Sequence, residues 1–112
     1  MSKNTAQLDS KFFTIFGAWF NVDLIDLNDR REVMRTAGVC ASDLMKHVPD
    51  TQDLIHRLSV TLSNWNSKIV LQFINATDTD WLYNQETEQQ LKEVLREIVR
   101  SLQICGSRQE KR

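Results

Sequence analysis

Few residues in this chain are equipped for chemistry, and their spacing limits what they do. The imidazoles are His47 and His56, nine positions apart with Pro49 between them, and no serine or cysteine nucleophile is patterned around either. His47 reads as a polar residue in the last turn of a helix, where partial positive charge suits the dipole, and His56 as an exposed helical residue. Cys40 and Cys105 form no C-x-x-C pair and have no neighbouring histidine, so they read as reduced structural thiols. Asp78-Thr79-Asp80 has the outline of a cation-binding D-x-D, but the further oxygen ligands and glycine turn of a calcium loop are missing. No G-x-x-x-x-G-K or G-x-G-x-x-G run offers a phosphate cradle. The sequence predicts no catalytic residue, no metal and no cofactor.

Charge is the remaining chemistry. In "DLNDRREVMRTAGV", Asp26, Asp29 and Glu32 alternate with Arg30, Arg31 and Arg35. Three guanidiniums on one short helix are too costly to bury unpaired, so they must project from the fold. Arginine's planar, multidonor head favours carboxylate recognition across interfaces. A second set lies near the end of the chain, where Lys92, Arg96 and Arg100 repeat every four residues beside Glu93 and Glu97. Like charges at that spacing repel, so either a partner surface compensates or each glutamate pairs with the arginine three residues on. The candidate protein-binding residues are therefore Asp29, Arg30, Arg31, Glu32, Arg35, Arg96 and Arg100.

These side chains need a scaffold, and the composition describes one. With 112 residues, 41% hydrophobic and 26% charged, the chain has the length of one domain with one core. Its formal net charge of −1 lacks the basic balance of a nucleic-acid binder. Neither a signal-peptide core nor an apolar run of spanning length is present, so the expectation is a cytoplasmic protein without a membrane segment.

Only three glycines and one proline punctuate the chain, which favours helices over strands. Leu8, Phe12, Ile15, Phe16 and Trp19 repeat on one face of a first helix, over residues 7 to 20. Five large aromatics within nine positions cannot all face one way, so Phe13 or Phe20 is expected to reach an interface or a neighbouring helix. Asn28 is the expected cap of a second helix over 29 to 37, which Gly38 ends. A short third helix covers 41 to 47, before the corner at Pro49. A fourth starts after Asp50 or Thr51 and buries Leu54, Ile55, Leu58, Leu62 and Trp65. A fifth, capped by Ser67, carries Ile69, Val70, Leu71, Phe73 and Ile74 and is apolar enough to be the central element; its "IVLQFI" also suits a strand, but has no partner strand. The sixth runs from Gln85 to Ile104, capped by Asn84 and closed by Gly106. The sequence thus predicts an all-α, compact antiparallel bundle of about six helices spanning 7–105, between an N-terminal tail (1–6) and a basic C-terminal tail (106–112).

The segment "DRREVMRTAGV", preceded by an aromatic-rich helix and followed by a short helix, a long amphipathic one, an apolar one and "NQETEQQLKEVL", resembles the effector-associated domains of bacterial conflict systems. Those are small, six-helix, death-like modules with a tryptophan toward the middle, as Trp65 is here. The resemblance covers residues 8 to 104 and implies a death-fold-like, noncatalytic adaptor. It also implies a protein partner, including a like helical domain, so that a homo-oligomer is among the expected states. Asp29, Arg30, Arg31, Glu32 and Arg35 would carry that interaction, with Arg96 and Arg100 as complements. The alternative is a small nucleic-acid-binding or regulatory subunit, resting on Arg96, Arg100, Arg108, Lys111 and Arg112.

Overall fold

In the computed structural model, described over residues 10–21, 25–26, 28–48, 50–77 and 83–110 (side chains to 104), the backbone forms five helices and, among those residues, no strand. They are α1 (Ser10–Phe20), α2 (Arg30–His47), α3 (Thr51–Ser63), α4 (Ser67–Thr77) and α5 (Gln85–Glu110). Leu8, Pro49 and the Asp78-Thr79-Asp80 segment lie outside the described residues, as does the Cys105 side chain.

Local chemistry fixes the starts. Asp29, not Asn28, caps α2, its carboxylate accepting the Glu32 amide at 3.2 Å, while Asn28 donates its own amide to Asp26 in a turn. Asp50 caps α3 through the Asp53 amide at 3.0 Å. Asn66 rather than Ser67 caps α4, because the Asn66 side-chain oxygen takes the Ile69 amide. Asn84 caps α5 through Thr87, as its sequence position implies. In each case a short side chain just outside the first turn satisfies an amide that has no helical partner.

The six-helix expectation fails at Gly38. The expected second and third helices are one continuous helix, since Val33, Ala37, Cys40, Ala41 and Leu44 form a single buried stripe running past the glycine. A mid-helix glycine costs about 1 kcal/mol against alanine, and burial of that stripe outweighs it. Gly38 faces Ser101 of α5, and a Cβ there would lie an ordinary 3.9 Å from the serine Oγ. Gly38→Ala should therefore raise stability by about 0.5–1 kcal/mol, read as a higher urea midpoint; a lower midpoint would show that α5 needs the bare backbone. The last helix also continues past Gly106, to Glu110.

The directions depart from an antiparallel bundle. Arg30 meets Glu93, an offset of 63 residues, and Gly38 meets Ser101 at the same offset, so α2 and α5 climb together as a parallel pair. Phe13 and Gly17 of α1 meet Phe73 and Thr77 of α4, which makes that pair parallel too. Parallel helices cannot be joined by a short turn, so sequence neighbours are not the main spatial neighbours here. The central element is α5, packed most extensively on α2, then on α3 and, to a lesser extent, α4. Leu91, Val94, Leu95, Ile98 and Leu102 supply its fully buried stripe.

The other half of the core is aromatic. Wedged between α2 and α4, α1 has two buried sides: Phe12, Phe13, Phe16 and Phe20 are all buried, and Trp19 is half-buried. Phe13 reaches the neighbouring helix, its ring meeting Phe73 at 5.4 Å, and the Trp19 indole donates to Asp43 of α2 at 2.9 Å. The Cα radius of gyration, 13.3 Å, is that of a compact chain of this length.

Candidate functional site

The parallel register of α2 and α5 determines what becomes of the charged side chains. At the start of the pair, Arg30 donates to the Glu93 carboxylate at 2.6 Å. This hydrogen bond, with smaller contributions from Gln89 and the nearby charges of Arg30 and Arg96, holds the Glu93 carboxyl below its ordinary 4.5 against an opposing effect of partial burial. Arg30 itself stays 72% exposed, so the pair contributes about 0.5 kcal/mol at most. The sign follows from the direction of the shift. A depressed carboxyl stabilises the fold above pH 4.5 and loses that contribution as the pH falls through its folded value. Arg30→Ala should accordingly be mildly destabilising at neutral pH and neutral in acid; a penalty independent of pH would mean that Arg30 acts by packing its stem.

This ion pair separates two shallow depressions. On one side a groove of about 270 Å³ is lined by Arg30, Met34, Glu93, Arg96, Glu97 and Arg100. On the other, about 250 Å³ lies among Asn28, Arg30, Val33, Glu86, Gln90 and Glu93. Within the first, Arg100 donates to Glu97 at 3.1 Å, the pairing of residues three apart that the sequence suggests. The matching pair does not form, because Glu93 is taken by Arg30 and Arg96 is left exposed without an ion pair among the described residues. Arg31 and Arg35, one turn apart on the outer side of α2, are exposed and equally without an acid partner among the described residues.

Three of the seven candidate residues, Arg30, Arg96 and Arg100, thus come together in one groove. Arg31 and Arg35 lie on the adjoining face of α2. Asp29 is occupied as a helix cap and Glu32 provides the amide it caps, so these two hold the helix start. Sequence reasoning named Glu93 and Glu97 beside the arginines but placed neither them nor Met34 among the site residues, and all three line the groove. The signal for them was present in the four-residue spacing from Arg30 to Met34 and from Glu93 to Glu97.

Groups with reactive potential are placed otherwise. Cys40 is fully buried, and desolvation, with the Asp43 charge adding, pushes its thiol up to about 12. It is protonated at neutral pH. The His47 ring sits 3.0 Å from the Asp43 carbonyl and 3.3 Å from the Asp43 carboxylate, at the C-terminal turn of α2. Lys11 donates to the His47 carbonyl, so this cluster ties α1 to α2. Among the described residues no group of three or more His, Cys, Asp or Glu is placed to hold a metal ion, and no helix is long and apolar enough to cross a membrane. The side chains of Arg108, Lys111 and Arg112 lie outside the described residues.

No protein-family model, curated protein or solved structure matches this chain.

Proposed function

We propose that this protein is a noncatalytic interaction module that binds another protein through the charged face of α2 and α5. The observation that carries the reading is the set of exposed arginines that form no ion pair among the described residues, Arg31, Arg35 and Arg96, on two helices packed side by side. Long guanidinium side chains are costly to order singly, but in ladders on a rigid pair of helices they present fixed donors to incoming carboxylates. The resemblance to effector-associated domains supports the same reading and suggests an adaptor within a bacterial conflict or signalling system.

The test follows from the geometry. Arg30 is a poor choice for charge reversal, since a glutamate there would face Glu93 and disturb the fold. Arg31→Glu with Arg35→Glu leaves every described ion pair intact. This double variant should keep the wild-type melting temperature within about 2 °C, as surface changes do. It should weaken capture of the partner from native cell extract by more than about tenfold, equivalent to about 1.4 kcal/mol. Undiminished capture would reject this surface.

A further inference from the structure

We infer that the α2–α5 groove takes an acidic amphipathic helix of a partner protein, with carboxylates one turn apart on its flanks and an apolar side chain over Met34. The inference rests on the protein-binding reading and names the chemistry of the partner.

The shape comes from the parallel register. Arg31 and Arg35 are one turn apart on α2, Arg96 and Arg100 one turn apart on α5, and the common offset of 63 residues places Arg96 level with Val33, between the two α2 arginines. Two staggered ladders therefore run the same way along helices packed about 8–10 Å apart. Carboxylates on successive turns of an incoming helix have the same rise between them and meet successive guanidiniums. Met34 lines the groove, and its unbranched side chain adapts to an apolar residue above it.

Charge decides the class of partner. Glu93 and Glu97 lie among the arginines of the groove, so a continuous phosphate backbone would pass over two carboxylates, whereas side chains at helical spacing avoid them. A second copy of this chain is poorly supplied with the acids required. Among the described residues, Asp26, Asp29 and Asp50 accept backbone amides, Asp43 holds Trp19, and Asp53 holds Arg57. Glu88 holds Tyr83, Glu93 holds Arg30 and Glu97 holds Arg100, which leaves Glu32 on α2 and Glu86 in the first turn of α5, on separate helices rather than one turn apart on one. Among the described residues, no helix of a second copy offers two uncommitted carboxylates one turn apart.

The experiment uses the full chain and a fluorescein-labelled, alanine-based helical peptide bearing glutamates one turn apart on two flanks with a central leucine, followed by anisotropy at low ionic strength. A peptide of identical composition with glutamates at alternate positions is the control. The in-register peptide should bind about tenfold more tightly than the control, and Arg96→Gln with Arg100→Gln should remove about tenfold of that affinity while circular dichroism stays unchanged. Equal binding of the two peptides, or insensitivity to that variant, overturns the inference. Tighter binding of a duplex oligonucleotide than of either peptide overturns it in favour of nucleic acid. Self-association in sedimentation that Arg96→Gln with Arg100→Gln abolishes overturns it in favour of a second copy. If the peptides fail but the Arg31→Glu, Arg35→Glu variant still loses its captured partner, the inference falls and the broader protein-binding reading stands.

Discussion

Replacing Gly17 by alanine is expected to destabilise the protein by about 3 kcal/mol, lowering its melting temperature by roughly 10 °C or more. On an ordinary helical surface the same change stabilises, because alanine loses less backbone entropy on folding. At Gly17, however, an added Cβ would run into the main-chain carbonyl oxygen of Thr77. A backbone oxygen cannot rotate away as a flexible side-chain end would, so α1 and α4 must separate. Separation pulls at the aromatic contacts of Phe13 and Phe16 with Phe73, which lie one turn before this approach. Thermal melts of Gly17→Ala and Gly38→Ala measured side by side should move in opposite directions. If Gly17→Ala melts with the wild type, the close approach of α1 to α4 is wrong.

Phe73→Ala should cost about 4 kcal/mol, a large part of the ~5–15 kcal/mol that holds a domain together. Phe73 is fully buried and its ring meets four others: Phe12 at 6.2 Å, Phe13 at 5.4 Å, Phe16 at 5.1 Å and Trp65 at 5.9 Å, all edge-to-face. Removing it forfeits the transfer energy of one ring and leaves rigid neighbours around a cavity they cannot fill. It also cuts the link from α1 to the α3–α4 junction, where the Trp65 indole donates to the Glu88 carbonyl of α5. Phe73→Leu, which keeps most of the volume, should cost about 1.5 kcal/mol. Urea denaturation of both variants provides the check, and a loss below about 1.5 kcal/mol for the alanine variant would show that α1 repacks freely onto α4.

The helical class and most of the core were legible in the sequence because both depend on local periodicity. Leu91, Val94, Leu95, Ile98 and Leu102 recur on one face and are fully buried, and Leu54, Ile55 and Leu58 follow the same rule. Gly38 was misleading because a glycine marks a helix end only where the apolar pattern also stops. Here Cys40, Ala41 and Leu44 continue in phase with Val33 and Ala37. The choice between Asn28 and Asp29, or between Asn66 and Ser67, turns on which side-chain oxygen reaches an amide, and neighbouring cap formers look alike in sequence. The direction of helix pairs was not legible at all. The parallel arrangement of α2 with α5 depends on the path taken through α3 and α4, and it is this that makes Glu93 the partner of Arg30 rather than of Arg96. The arginines were readable as exterior groups, whereas their division into paired and unpaired sets required the tertiary fold.

That α5 is both the central helix and the last of the five has a consequence for how the polypeptide matures as it leaves the ribosome. The phenylalanine half, α1 with α4, is able to assemble as soon as α4 has emerged. α2 can dock on α1 early, but its larger contact, and the main contact of α3, wait for Leu91 through Leu102 of α5. A chain paused before Gln85 therefore exposes apolar side chains of α2 and α3, and holdase chaperones should retain it longer than a chain in which α5 has formed.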